Sequence, residues 1–284
     1  MKDCHTHRFS FRLLLAFLTI VFYYGCQPDG IKKVADRPTV SPAQYLENHL
    51  YQEAAWEYLK AGDSTAAEAA LNLLSAAFEE DYIEFKPLGT RMNTSETYLL
   101  TFKNDVKGVF KVENSDTLGH VYHDPAAYKL DQLLGFNFTP YSIVRTFQTP
   151  DGDLLRGSLM YFVKECKSAL SVKAPRTDRM RFFDAVIGNI DRHTNNWLIR
   201  GNGDIVCIDH DRTFLFDHTG WAHSPWESEI AKIKSTKNLG IVYERYKTLP
   251  DSVFRDAIRD DIGYNRFDLF LETRKEIIAK LEAK

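Results

Sequence analysis

A chain of 284 residues that is 44% hydrophobic and 26% charged has the make-up of a globular protein with a core of its own, which excludes a disordered or low-complexity chain. Its net charge of −3 comes without any basic stretch. It therefore has no electrostatic footprint for DNA or RNA, and nucleic acid is excluded as a partner.

Lys2, Arg8 and Arg12 precede the charge-free apolar run Leu13 to Phe22, the layout of an export signal. The uncharged stretch ends at Gly25, short of the roughly 20 residues that a membrane-spanning helix needs. Residues 1–25 are expected to be a signal peptide, with a type II membrane anchor as the alternative. The run closes on Tyr23-Tyr24-Gly25-Cys26, and a small residue followed by Cys resembles the lipobox of bacterial lipoproteins. That resemblance implies lipidation of Cys26 and an exported chain attached to the membrane of a bacterial envelope. A type II membrane protein of a secretory lumen is the alternative location. Residues 26–40 read as a polar tether. Cys166 and Cys207 either pair or remain buried thiols.

Ser41-Pro42 supplies a capping hydroxyl and a first-turn proline, which predicts a helix from there to a stop at Gly62. Asp63-Ser64 then opens a second helix, rich in Ala and Leu, that reaches about Phe78. Residues 41–79 are thus a helical hairpin extension. No second copy follows, so it reads as a packing subdomain rather than a repeat.

From Tyr82 the texture changes to short strand-like runs at Tyr82–Phe85, Tyr98–Phe102 and Val109–Val112. Asp124-Pro125 opens a helix with Ala127, Leu130, Leu133 and Leu134 at helical spacing, closed by Gly135. Strands at Ser142–Phe147 and Leu154–Val163 flank the turn Pro150-Asp151-Gly152. The fold class is α+β and two-lobed: a small β-rich lobe over 80–163, then a larger α-rich lobe over 164–284. A cleft between two such lobes is a natural ligand site.

Trp197–Arg200 and Ile205–Ile208 are equal apolar runs around Gly201-Asn202-Gly203-Asp204, with Asn202-Gly203 as a favoured hairpin turn. Pairing Arg200 with Ile205 and Trp197 with Ile208 sets Asn196 opposite Asp209, with β-carbons about 4.5–5.5 Å apart. Two hard oxygen ligands, completed by water and phosphate, is how Mg²⁺ binds in nucleotide enzymes. Asp191 stands five residues before Asn196, the spacing from the catalytic-loop Asp to the metal-binding Asn in kinases. It is placed to orient an acceptor hydroxyl and take its proton late. Cys207 is expected in the core. His193, His210, His218 and His223 match no zinc spacing and are expected to be ordinary loop histidines. Arg192 is expected to hold a nearby carboxylate or backbone group.

The run Gly188-Asn189-Ile190-Asp191-Arg192-His193-Thr194-Asn195-Asn196, then the hairpin, then Ile208-Asp209-His210, resembles the catalytic core of the atypical kinases. These include type II phosphatidylinositol 4-kinases, secretory-pathway kinases of the Golgi casein kinase type and HipA-type bacterial kinases. The resemblance covers roughly Tyr82 to Trp226. It implies a protein-kinase-like fold, ATP with Mg²⁺ or Mn²⁺, Asp191 as the catalytic aspartate, and Asn196 and Asp209 as metal ligands. Gly108-Val109-Phe110-Lys111 is similar to the strand that bears the ATP-binding lysine, and Gly89 to Ser95 would be the loop over the phosphates. Asp124 falls where the family has the glutamate that orients the lysine. It is one methylene shorter, so either its helix comes closer or Asp124 is only the helix cap, with Asp131 as a fallback partner. Met160-Tyr161-Phe162-Val163 would be the hinge, with Phe162 against adenine. The implied activity is transfer of phosphate from ATP to a hydroxyl of a protein, sugar or inositol lipid by a monomer. A nucleotide-binding pseudokinase scaffold and AMP transfer to protein are the alternatives.

Overall fold

The computed structural model describes residues 40–88, 96–113, 120–216 and 225–284. The signal peptide, Cys26 and nearly all of the tether, Gly89 and Ser95 of the expected phosphate loop, and His218 and His223 lie outside the described residues.

Ser41 caps α1 (Pro42–Glu47) in a reciprocal capping box with Gln44. The helix expected to run on to Gly62 stops there, because His49 adopts a left-handed backbone (φ 57°). The amides of His49 and Leu50 turn back to the carbonyls of Leu46 and Tyr45 at 3.0 and 2.8 Å, a Schellman closure built without glycine. α2 (Tyr51–Lys60) starts afresh, and Asp63 caps α3 (Ser64–Glu79) by accepting from the Ala66 amide.

The first sheet contains β1 (Glu84–Pro87), β2 (Thr97–Thr101), β3 (Lys107–Val112), β4 (Ser142–Gln148) and β5 (Leu154–Tyr161), ordered β1-β2-β3-β5-β4 and antiparallel throughout. On β3, Gly108, Phe110 and Val112 are buried, so strand alternation sends Lys111 to the opposite face. β5 runs close to β3: a β-carbon on Gly157 would lie 2.1 Å from the Lys111 carbonyl oxygen.

Between β3 and β4 comes α4 (His123–Leu134), which ends at Gly135 (φ 81°). Asp131, the fallback partner for Lys111, serves another purpose. Its Oδ1 accepts the amides of Phe138 at 2.8 Å and Thr139 at 3.3 Å, fixing the turn that follows α4. Burial pushes its pKa up to about 7 against those hydrogen bonds. The folded chain then holds this proton to about pH 7, while the unfolded chain releases it near its ordinary 3.8. Stability from this group is therefore full below about pH 4 and declines as pH rises toward 7. Asp131→Asn keeps an oxygen for the two amides and should flatten that decline, as measured by urea unfolding midpoints between pH 5 and 8.

The second lobe opens on β6 (Cys166–Ser168), a strand not foreseen because three residues carry no alternation. It continues with α5 (Ala169–Val172), α6 (Asp178–Val186), the hairpin β7 (Trp197–Arg200) and β8 (Ile205–Cys207), and helices α7 (Pro225–Lys232), α8 (Ile241–Thr248), α9 (Asp251–Ile262) and α10 (Tyr264–Glu282). A two-lobed α+β architecture results, β-rich first and helical second, preceded by the extension helices.

The hairpin register differs by one residue from that expected. Trp197 faces Cys207, Leu198 faces Val206 and Ile199 faces Ile205. Gly203 takes the left-handed position (φ 92°) in a three-residue loop closed by hydrogen bonds between Arg200 and Asp204 and between Gly203 and Arg200, each 2.9 Å. Asn196 therefore pairs with Ile208, whose amide donates to its carbonyl at 3.0 Å, and Asp209 lies one step beyond. Asp209 is itself left-handed (φ 62°) and outside the strand, so the pleat no longer dictates where its carboxylate points.

Two cores meet at this hairpin. Trp197 and Cys207 belong to the large core of α4 and α6 to α10, while Leu198 and Val206 join Trp56, Phe78, Phe110 and Leu159 in the core of the extension and first sheet. Cys207 is a core residue as expected, its thiol pushed up to about 12 by burial. No disulfide joins it to Cys166.

Candidate nucleotide and metal site

Lys111 is carried by β3 to the place where α4 and the end of the β7–β8 hairpin meet the first sheet. Its Nζ lies 2.5 Å from Asp209 Oδ1 and 3.3 Å from Asp124 Oδ2. Asp124 is not the cap of α4, since Tyr122 holds that position without a side-chain bond. Instead Asp124 is buried at 2% exposure. It accepts the His210 backbone amide at 2.8 Å and the Ser158 hydroxyl at 3.2 Å in addition to Lys111. The shorter side chain still reaches Lys111, and Ala126 and Ala127 beside it on α4 are fully buried.

The electrostatics divide the carboxylates into two kinds. Burial alone would raise the Asp124 pKa, but Lys111 and then His210 outweigh it and hold the carboxyl far below its ordinary range. Burial would likewise raise Asp209, and Lys111 again brings it down. Asp209 keeps 39% of its side chain exposed, so it alone of the pair can meet a ligand. For Lys111 burial acts downward, yet Asp124, Asp209 and Asp211 together lift the pKa well above normal. Asp211 is raised by burial and by the neighbouring Asp209 and Asp124, against the pull of Lys111. One ammonium thus faces three carboxylates, a surplus of negative charge suited to a cation.

Asn196 is 3% exposed and donates its Nδ2 to the Asp191 carbonyl at 2.9 Å, which turns its amide oxygen the other way. Among the described residues no group of three His, Cys, Asp or Glu side chains could enclose a metal. A cation here fits only if Asn196, phosphate oxygens and water complete the shell around Asp209. Mg²⁺ suits that arrangement, because it keeps several waters and takes few protein ligands.

The loop before β7 is held by its own hydrogen bonds. Asn189 Oδ1 accepts the Asp191 amide at 2.8 Å, and Asp184 Oδ1 accepts Asn189 Nδ2 at 3.1 Å and Arg192 Nε at 2.9 Å. Arg192, 2% exposed, also donates to the carbonyls of Ile208, at 2.9 Å, and of Asn196, so one guanidinium joins the two strands at the open end of the hairpin. The expectation that Arg192 holds a carboxylate and backbone is met. Arg176 Nη2 reaches the other oxygen of Asp184 at 2.6 Å. Asp184→Ala would leave Arg192 buried without its carboxylate, while Arg176 keeps Glu229 at 2.9 Å, at a cost of about 3–5 kcal/mol. The thermal unfolding midpoint should fall by roughly 10 °C, and a calorimetric scan would check it.

Asp191 points its carboxylate toward the open side of the loop, 32% exposed, with Arg212 Nε 4.0 Å away. The Phe162 amide is already engaged by the Lys107 carbonyl at 2.9 Å, so for an adenine this residue offers its carbonyl and ring. An open depression of about 430 Å³ near the hairpin tip, lined by Phe138, Arg179, Gly203 and Asp204 among others, contains none of these site residues.

Several contributors escaped sequence reasoning. His210 carries in the sequence only its place after Asp209 in the kinase-like run, yet its amide and ring (Nδ1 to Asp124 Oδ1, 3.4 Å) brace Asp124. Asp211 stands in the run Asp209-His210-Asp211, whose alternating acids are its one sign in the sequence. His123 accepts from Arg266 at Nε2 (2.7 Å), which leaves Nδ1–H to donate to the Asp211 carbonyl at 2.9 Å. Burial, then Arg266, lowers its pKa to about 3 and keeps it in that neutral form.

Comparison with known proteins finds the same fold. The sequence profile of the phosphatidylinositol 3- and 4-kinase family matches residues 153–244. No curated protein matches in sequence. Among solved structures, a Golgi casein kinase with Mn/ADP bound superposes with a TM-score of 0.54 at 12% identity, covering 89% of this chain and 92% of that one. A second structure of the Golgi casein kinase gives 0.52 at 12% identity, with 90% and 93% covered. The hydra Fam20 with sugar gives 0.54 at 14% identity, with 76% and 89% covered. At such identities the likeness is one of fold.

Proposed function

We propose that this chain, which has the fold of the atypical kinases, is a phosphotransferase that moves the terminal phosphoryl group of ATP to a hydroxyl. One observation carries the reading: a lysine on the third strand, a carboxylate on the helix that follows and the aspartate just past a hairpin converge, with Lys111 paired to both Asp124 and Asp209. Asn196 and Asp209 would hold a divalent cation. Bound there, Mg²⁺ or Mn²⁺ supplies charge neutralisation and alignment at the phosphate oxygens. The Mn/ADP complex of the Golgi casein kinase supports that choice of cofactor.

Lys111 would neutralise α- and β-phosphate charge, while Asp124 keeps its ammonium aimed into the cleft. Asp191 would orient the acceptor hydroxyl and take up its proton as the bond to phosphorus forms. Positioning and electrostatics carry such a reaction without a covalent enzyme intermediate. Intact mass after incubation with Mg-ATP and candidate acceptors tests this. A gain of one phosphate supports the reading, a gain of one AMP replaces it with nucleotidyl transfer, and no gain with nucleotide bound replaces it with a pseudokinase.

The export signal and Cys26 support an exported chain that a lipid on Cys26 attaches to a membrane. No helix among the described residues is long and apolar enough to cross one. Cys26→Ser should move the protein from the membrane to the soluble fraction, and unchanged membrane association would refute the lipid anchor.

A further inference from the structure

The extension helix α2 lies outside the residues that match the kinase profile, yet it grips two parts of the molecule that move independently in a hinged two-lobed protein. On its N-terminal turn, Gln52 Oε1 accepts the Tyr141 amide at 2.7 Å, immediately before β4. One residue on, Glu53 is 3% exposed and its Oε2 accepts the Tyr161 hydroxyl at 2.9 Å. Tyr161 is the last residue of β5, where the chain leaves the first lobe. Burial raises the Glu53 pKa, and among the groups that oppose the rise is the backbone amide of Lys164, on the far side of the same linker.

One turn further along α2, Glu57 Oε1 meets Arg200 Nη1 at 3.2 Å and Asn202 Nδ2 at 3.1 Å, and Lys60 pairs with Asp204. These three partners form the tip of the β7–β8 hairpin. The Arg200 guanidinium is only 6% exposed and stacks over Trp56 at 5.1 Å. The opposite end of that hairpin carries Asn196 and Asp209. With Leu198 and Val206 embedded in the same core as Tyr51 and Trp56, α2 is bonded to the interlobe linker and to the hairpin flanked by Asn196 and Asp209 at once.

We propose that α2 is a positioning strut: Glu53 fixes the linker, the Glu57–Arg200 pair fixes the hairpin, and the extension sets the height of Asn196 and Asp209 beneath Lys111. The functional meaning of that height rests on the phosphotransferase reading, while the strut itself does not need a nucleotide. A catalytic role for α2 is not implied, since its side chains touch the hinge and hairpin and none of the residues assigned to phosphate or metal. Its expected consequence is a cleft whose two halves stay in register before any ligand arrives.

Backbone hydrogen exchange in the full chain reads this directly at two amides: Ile208, bonded to the Asn196 carbonyl, and Phe162, bonded to the Lys107 carbonyl. Glu57→Ala should speed exchange at Ile208 about tenfold, and Tyr161→Phe should do the same at Phe162, with amides of α9 and α10 unchanged. Tyr161→Phe removes one hydroxyl without opening a cavity and so guards against a variant that merely fails to fold. Glu53→Gln, which retains an oxygen for Tyr161, should keep near-normal protection. Titration with MgADP should show affinity lowered about tenfold in Glu57→Ala. Unchanged exchange at Ile208 and Phe162, or equal acceleration across α9 and α10, overturns the strut. Faster local exchange in the two variants, together with a wild-type chain that binds no MgADP, would sustain the strut and overturn the phosphotransferase reading instead.

Discussion

Asp209→Ala should abolish metal-dependent nucleotide binding while leaving the fold intact. Asp209 is the one carboxylate at the cleft floor that is both paired to Lys111 and substantially exposed, so it is free to exchange its lysine for a cation. Lys111 would still have Asp124 at 3.3 Å, and Asp124 would still have the His210 amide and Ser158, so no buried charge is stranded. Calorimetric titration with MgADP should show affinity reduced by about 100-fold or more, on the order of 3 kcal/mol. The apo protein should unfold within a few degrees of wild type. Asp124→Ala should behave in the opposite order, losing stability first, because it removes the acceptor of the buried His210 amide and the buried partner of Lys111, which would keep Asp209 alone of the two carboxylates. Wild-type affinity for MgADP in Asp209→Ala would remove the metal assignment.

Much of the first lobe was legible because its strands and α4 are set by local signals: alternation in β3, the Pro-Asp-Gly turn before β5, and glycine at the end of α4. The two hairpin-flanking residues were legible from spacing, the lysine and the helix carboxylate only from the resemblance of their segments to the atypical kinases. Positions that depend on a single backbone conformation were not. The hairpin register turned on whether Gly203 sits second in a two-residue turn or last in a three-residue loop, and both loops accept the same Asn-Gly dipeptide. The split between α1 and α2 uses His49 where glycine would have been the visible sign. Asp131 and Asp124 share a helix face, and only the path of the chain after Gly135 decides that Asp131 caps a turn.

Side chains whose partners are distant in sequence were the least legible. Asp184 looks like an ordinary acid on an amphipathic helix until Arg192 and Arg176 are folded against it. His210 and Asp211 gain meaning only when α4 packs beside them. These residues decide how rigidly the site is held rather than which chemistry it contains, and for that reason a motif can reveal the chemistry while the bracing stays hidden. The hairpin displays both aspects at once. Its ends carry Asn196 and Asp209, its two faces serve different cores, and its tip is bound by α2, so the spacing within a short stretch acquires its precision from contacts made all over the chain.

Asp191→Ala should leave MgADP affinity and stability near wild type and still lower phosphate transfer by about 10²–10⁴-fold. The reason lies in how the loop is held. Its framework uses the backbone of Asp191, whose amide donates to Asn189 and whose carbonyl accepts from Asn196 and from the His193 amide at 2.8 Å. The carboxylate takes no part in that framework and approaches Arg212 only at 4.0 Å. Alanine supplies the same backbone groups, so Asn196 keeps its orientation and the metal site survives. Asp191→Asn should be about as slow as Asp191→Ala, because an amide can orient a hydroxyl but cannot accept its proton at neutral pH. Transfer rates measured with saturating Mg-ATP and an accepted hydroxyl substrate decide the matter: a variant as fast as wild type would show that Asp191 neither aligns the acceptor nor receives its proton.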